Sequence, residues 1–326
     1  GYKVIMTFHL GRYTATSDNT YLPVDVFNIK AGSYNFYRNK GFGNTQAKMF
    51  FPIANFFRKM NLDVSGLGKT GTALSAPQLV EKKKNDFFEL LENCDKAVVI
   101  ARWYHDLLIK NKVDSKKLFF IEQGINYDGL PNPKEYITST KLKVIFVGRI
   151  SHFKGVKTLL EAIAELSTDK IQLDIYGDSG EDNQYILDCK KIAEGKSHIR
   201  FMGRLNPGES ILKMADYDVL ILPSTFSEMS PLVIREAFAA GIPVLASDSM
   251  GSKEQIEDGK NGWLFKMNDV NDLTEKLKWL IEHPEKIREP SQHIPASRSF
   301  SLVAREYLKL YRTILEDQST VLNLQH

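Results

Sequence analysis

Asp218-Val-Leu-Ile-Leu-Pro223 is an unbroken apolar run closed by proline, the pattern of a strand covered on both faces. A short loop follows. Leu232–Ala240 then carries good helix formers and stops at Gly241, and Ile242–Ala246 is a second apolar run. Strand, loop, helix and strand joined by so little chain is the unit that builds a parallel sheet. The loop carries Glu228 and the helix carries Glu236. Ser230 has the chemistry of an N-cap, and Pro231 suits the first helical position, where no amide donor is needed. A helix that starts at the end of a sheet strand aims free N–H groups and partial positive charge at the crevice, where a phosphate binds. Carboxylates before and inside such a helix flank that phosphate and can accept hydrogen bonds from sugar hydroxyls.

The same pattern extends in both directions. Upstream, Leu142–Gly148 and Ile171–Tyr176 read as strands, with Gly155–Leu166 and Tyr185–Glu194 as helices. Ile199–Leu205 is a further strand and Gly208–Met214 a helix. Downstream, Ser247–Lys253 reads as a polar loop and Gly262–Phe265 as a short strand. Asp269–His283 and Ser301–Leu315 carry the apolar stripes of amphipathic helices. Gly148-Arg-Ile-Ser-His-Phe-Lys-Gly155 sets Arg149 and Lys154 beyond the end of a strand, a pair suited to a pyrophosphate: arginine grips oxygens bidentately and lysine adds a point charge.

The first part of the chain repeats the alternation less clearly. Val4–Phe8 reads as a buried strand ending at His9. Ala76–Asn93 is a helix, Asp95–Ala101 a strand, Trp103–Lys112 a helix and Lys117–Ile121 a strand, a Rossmann-like run. Residues 11–79 are rich in aromatic side chains, read chiefly as core, with a helix over Thr45–Met60 and a Gly/Thr-rich loop over Ser65–Ser75. The expected organisation is a first domain over 1–126, a linker over 127–142 containing Pro131 and Pro133, a second domain over 143–300, and a late helix with a tail over 301–326.

Bulk composition agrees. The 326 residues, 43% hydrophobic and 25% charged, give two domains of ordinary size. The net charge of +3 carries no bias towards nucleic acid. It is unevenly spread: residues 1–142 hold 20 Lys and Arg against 13 Asp and Glu, a balance that reads either as chance surface bias or as favouring an anionic membrane surface or acceptor on that side. Cys94 and Cys189 sit in no metal or redox motif and read as reduced structural thiols. No apolar run reaches the length of a membrane-spanning helix, and the expected setting is cytoplasmic, with peripheral attachment at the inner face of a membrane.

Glu228-Met-Ser-Pro-Leu-Val-Ile-Arg-Glu236, continuing through Ala-Phe-Ala-Ala-Gly-Ile-Pro-Val, Gly251, Glu254, Asp258-Gly259, Asn261-Gly262 and Leu264-Phe265, resembles the donor-site signature of the retaining family-4 glycosyltransferases. The resemblance implies the GT-B fold: α/β, two Rossmann-like domains facing across a cleft. The family carries a longer first domain, so the one here is expected to be incomplete. The resemblance also implies a nucleotide-sugar donor and a glycan or lipid-linked acceptor. Gly148, Arg149 and Lys154 would meet the leaving diphosphate, with Met229, Ser230, Pro231 and Leu232 beside it. Met202, Gly203 and Arg204 would meet the nucleobase. Glu228 would hold the transferred sugar, Glu236 the ribose, and His9 would project towards the anomeric carbon. His9, Arg149, Lys154 and Glu228 are thus the expected catalytic groups. No Asp-x-Asp motif accompanies them, and neither a metal nor another cofactor is expected.

Two competing readings carry less. A dinucleotide-dependent oxidoreductase would need Gly-x-Gly-x-x-Gly and an acidic residue about 20 positions on, which this sequence lacks. A nucleotide-sugar-binding scaffold without turnover shares every donor-side residue and differs only in catalysis.

Overall fold

The computed structural model describes residues 3–8, 28–127, 141–178 and 183–322. Its contacts divide the chain into two units, Gly1–Glu122 with Leu308–His326, and Gln123–Tyr307. Most of the expected linker, and His9 with it, lies outside the described residues.

In the first unit, strands β1 (Ile5–Phe8), β2 (Lys96–Val99) and β3 (Leu118–Phe120) form a parallel sheet in the order β1-β2-β3. Asp95 fixes the entry to β1 by accepting from the Val4 amide at 2.8 Å and the Lys3 ammonium at 3.0 Å. Among the described residues, helices α1 (Ile29–Asn39), α2 (Asn44–Lys59), α3 (Gly68–Leu74), α4 (Ala76–Glu92) and α5 (Arg102–Lys110) lie wholly in this unit. Phe8 stacks on Phe87 of α4 at 5.5 Å and meets Tyr104 of α5 edge-on at 5.9 Å, so aromatic packing joins sheet to helices. A second cluster gathers Tyr34, Phe36, Phe42, Phe50 and Phe51 around the fully buried Tyr37. The expected loop at 65–75 is instead largely helix α3. Gly71 permits it: a β-carbon there would stand 2.1 Å from the Val64 carbonyl oxygen, so the glycine serves close packing rather than flexibility.

The second unit is a six-stranded parallel sheet. Its strands are β4 (Leu142–Val147), β5 (Ile171–Tyr176), β6 (Ile199–Gly203), β7 (Val219–Leu222), β8 (Val244–Ser247) and β9 (Gly262–Phe265), in the order β6-β5-β4-β7-β8-β9. Helices α6 (Val156–Ala164), α7 (Asn183–Ile192), α8 (Ser210–Met214), α9 (Leu232–Ala239), α10 (Met250–Gln255), α11 (Val270–Glu282) and α12 (Glu285–Ser291) alternate with or follow them. One apolar core lies between the sheet and α6, α7 and α11, containing Leu159, Leu160, Ile163, Leu173, Ile175, Leu273 and Leu277. The other lies between the sheet and α8 and α9, containing Met214, Leu220, Leu222, Ile234 and Phe238. Helices on both faces explain why every residue of β7 and β8 is buried. A buried polar network crosses the second face. Asp174 takes a bidentate pair of bonds from Arg200 at 2.7 and 2.6 Å and a third from Tyr217 at 2.6 Å.

The polar run at 247–253 ends in helix α10 rather than staying a loop, because Ser249 caps it by accepting from the Ser252 amide. Helix α12, beginning after Pro284, has no counterpart in the sequence reading. Helix α13 (Phe300–Leu322) is longer than its expected span, and the part from Leu308 on belongs to the first unit. Among the described residues no helix is long and apolar enough to cross a membrane.

Candidate functional site

The order β6-β5-β4-β7-β8-β9 turns on β4. The chain leaves β4 for β5 and β6 on one side, then returns to lay β7, β8 and β9 on the other. In parallel sheets of this kind the loops beyond β4 and β7 diverge at their carboxyl ends and leave a crevice that takes ligands. The connections that meet at this crevice are 148–155 and 223–231, which carry most of the residues singled out from the sequence.

They meet through a charge pair. The Lys154 ammonium donates to Glu228 Oε2 at 2.6 Å across 74 positions of chain. The other carboxylate oxygen, Oε1, accepts from the hydroxyl of the fully buried Ser224. Glu228 is thereby held in one orientation with lone pairs to spare, and its side chain is only 11% exposed. Lys154 also lies 5.9 Å from the centre of the Phe226 ring. The backbone around the pair is clamped: Thr225 Oγ donates to the His152 carbonyl at 3.0 Å and its amide to the Phe153 carbonyl at 2.9 Å. Gly155 follows Lys154 in the left-handed region at φ +67°, against the Pro223 carbonyl.

Gly148 and the exposed Arg149 lie directly beyond β4. The Gly148 amide donates to the Tyr176 carbonyl at 3.0 Å, and a β-carbon on Gly177 would strike the Gly148 carbonyl oxygen at 1.9 Å. The ends of β4 and β5 are thus drawn together by glycines. Met202, Gly203 and Arg204 lie at the end of β6, where the Gly177 amide donates to the Gly203 carbonyl at 2.8 Å. Arg204 is largely exposed and pairs with Asp178 at 3.2 Å.

Met229 and Pro231 are buried, and Ser230 and Leu232 half-buried, in the loop and first turn of α9. The expected cap at Ser230 is shifted by one residue. Pro231 is the N-cap, with extended backbone at ψ 113°, and no side chain caps the helix. The reason is that the ring fixes only φ, leaving ψ free to stay extended until Leu232. No side chain accepts from the amides of the first turn, and the Ile234 amide donates to the Pro231 carbonyl at 3.3 Å. A β-carbon on Gly251 would stand 2.4 Å from the Glu228 carbonyl oxygen, so α10 buttresses this loop from behind.

Glu236 sits one turn into α9, half-buried. Burial pushes its carboxyl above the ordinary value, and a hydrogen bond from the Ser210 side chain on α8 opposes this only in part. Among the described residues, Glu236 and Arg149 share this end of the sheet with the Lys154–Glu228 pair without bonding to it. Ser224 bonds Glu228, Ser210 bonds Glu236 and Asp178 pairs with Arg204, and none of the three was singled out from the sequence as a site residue. Their signal was adjacency to strand ends, which single serines and aspartates share with many surface turns. No group of three or more His, Cys, Asp and Glu side chains able to hold a metal occurs among the described residues.

Comparison with known proteins identifies the unit that carries this site. Residues 132–295 match the family model "Glycosyl transferases group 1". The chain belongs to that family. Over 231 residues it is 29% identical to a phosphatidyl-myo-inositol mannosyltransferase of Mycobacterium leprae, covering 68% of this chain and 58% of that protein. Over 283 residues it is 26% identical to the amylovoran biosynthesis glycosyltransferase AmsK of Erwinia amylovora, covering 82% and 67%. Thus this group 1 chain spans little more than half the length of the mannosyltransferase. Among solved structures it is similar to Anabaena HepE in complex with UDP and glucose, with a TM-score of 0.54 and 19% identity over 69% of this chain and 63% of that one. The α/β architecture with parallel sheets is that of the GT-B glycosyltransferases.

Proposed function

We propose that this protein is a retaining glycosyltransferase that moves a hexose from a nucleoside-diphosphate sugar to a hydroxyl of a glycan or lipid-linked acceptor, in polysaccharide, lipopolysaccharide or glycolipid assembly. The observation that carries the reading is the Lys154–Glu228 pair at the point where the strand order reverses. Support comes also from family membership and from a structural neighbour that binds UDP and glucose.

In this reading the donor diphosphate enters between the two connections. Lys154 and the exposed Arg149 neutralise charge that builds on the leaving diphosphate, and the first-turn amides of α9 add to them. Groups aimed in advance at developing charge lower the barrier without reorganising. Glu228, already oriented by Ser224 and Lys154, accepts from hydroxyls of the transferred sugar. Glu236 accepts from the ribose hydroxyls, and backbone around Met202, Gly203 and Arg204 meets the base. The acceptor hydroxyl attacks from the face that the diphosphate leaves. The two cations take the place of a metal, so none is required.

A thermal-shift screen against UDP, GDP and ADP sugars, followed by turnover of the stabilising sugar with and without chelator, tests the reading. Stabilisation by one nucleotide sugar and chelator-resistant transfer with an α-linked product from an α-linked donor are expected. Absence of stabilisation by all three would overturn the donor site, and binding without turnover would leave a scaffold.

A further inference from the structure

Helix α2 carries an apolar stripe that faces away from its own unit. Its inner face, with Ala47 and Ala54 buried and Phe50 and Phe51 against the Tyr37 cluster, packs on α1, α3 and α4. On the outer face Met49 is 67% exposed, Ile53 51%, Phe56 57% and Met60, at the C-cap, 57%. The spacing i, i+4, i+7, i+11 puts all four on one line along the helix. Single exposed apolar residues are ordinary, whereas four large ones in one helical row are not. Lys48 and Lys59, both exposed, fall in a second row beside the first. Arg58 is turned inward to Glu81 at 2.5 Å.

The charge of the surrounding chain is one-sided. Residues 28–80, which hold α1, α2 and α3, contain seven Lys and Arg against Asp63 as the lone carboxylate. An apolar row beside a cationic row, in a segment almost without acids, matches an anionic lipid surface. Apolar side chains enter the acyl boundary while lysines meet the phosphates. A second copy of the same face would oppose cation to cation, which disfavours self-association.

We infer that the outer face of α2 is a docking surface for an anionic bilayer, with Met49, Ile53, Phe56 and Met60 inserted and Lys48 and Lys59 at the headgroups. The inference stands apart from the donor site, and nucleotide-sugar binding is unaffected by changes on this face.

Sedimentation with phosphatidylcholine vesicles and with vesicles containing phosphatidylglycerol tests it on the full chain. Binding to the anionic vesicles alone, weakened by raised salt, is expected. Ile53→Glu with Phe56→Glu lowers partitioning at least about tenfold while the circular dichroism and melting temperature hold. Lys48→Glu with Lys59→Glu lowers it as well. Because Cys94 and Cys189 are buried, Phe56→Cys accepts a polarity-sensitive fluorophore selectively, and its emission shifts to the blue on anionic vesicles. No vesicle binding, binding that survives both double variants, or no emission shift overturns the inference. So does a dimer in sedimentation that Phe56→Glu dissociates in the absence of lipid.

Discussion

A methyl group placed on the α-carbon of Gly155 would lie 1.8 Å from the carbonyl oxygen of Pro223. The turn that ends in Lys154 is thus pressed against the exit of β7, with room for a hydrogen atom and nothing larger. Gly155 also has φ +67°, where an L side chain is strained. Gly155→Ala is expected to cost about 2–4 kcal/mol in denaturant unfolding, combining backbone strain with a clash against main chain that cannot yield. Donor affinity should fall with it, because separating the turn from Pro223 draws Lys154 away from Glu228. Calorimetric titration of the residual folded protein reads the second effect.

Arg149 and Lys154 should behave differently on removal. Arg149 is exposed and bonded to neither Lys154 nor Glu228, so Arg149→Ala should weaken donor binding about tenfold with stability unchanged. Lys154→Met takes away the cation opposite a largely buried carboxylate. It should lower kcat on the order of a hundredfold or more and also destabilise the fold. Adding Glu228→Gln should restore stability without restoring turnover. Equal loss of stability in the single and double variants would show that Lys154 does not compensate Glu228.

Glu236 makes a pH prediction. Burial raises its folded-state value above the unfolded one, so the folded state holds its proton longer. Stability from this group is therefore lost as pH rises through that window, and the ionised carboxyl is a standing penalty at neutral pH. Glu236→Gln should raise the melting temperature at pH 7 and leave it unchanged in acid, below both values. Donor affinity should show the reverse dependence. On the proposed role of Glu236, wild type should lose nucleotide-sugar binding on acidification at a pH above the ordinary glutamate value, as this carboxyl becomes protonated. The Gln variant should bind more weakly and stay flat.

The Asp174 network supplies the opposite sign. Burial pushes this carboxyl up, but the bonds from Arg200 and Tyr217 more than offset it, and its value lies below the ordinary one. A depressed carboxyl stabilises above its unfolded value, near pH 4, and that contribution is lost as pH falls through the folded value. Arg200→Met should cost about 2 kcal/mol at pH 7, less than for a fully buried pair because the guanidinium is half exposed. The difference from wild type should shrink in acid urea titrations.

Much of the second unit was readable because its strands are covered on both faces. Runs such as Val219–Leu222 and Ile171–Tyr176 announce themselves by composition alone. The residues Lys154 and Glu228 were readable as types, from their positions beyond strand ends, but not their contact. That contact depends on β7 returning beside β4, a non-local fact that local pattern does not carry. The first unit was harder. Glycines in 65–75 looked like loop chemistry, whereas Gly71 is there to let α3 approach Val64. Aromatic residues 34–51 gave no period because they form a cluster around Tyr37 rather than one face of one element. Helix α10 was missed because a serine cap and a polar loop have the same composition until the geometry separates them.

The placement of β4 between β5 and β7 also governs the order in which the crevice comes into being. During synthesis β4, β5 and β6 emerge first and can pair, yet Lys154 then has no carboxylate to meet. Glu228 arrives 74 positions later, and only once β7 has zipped onto the open flank of β4. A ribosome-bound chain halted before that event has half a sheet and lacks the Lys154–Glu228 contact. On the proposed reading, the donor site is completed only by this late contact, and a nucleotide bound there would act as a brake on its unzipping.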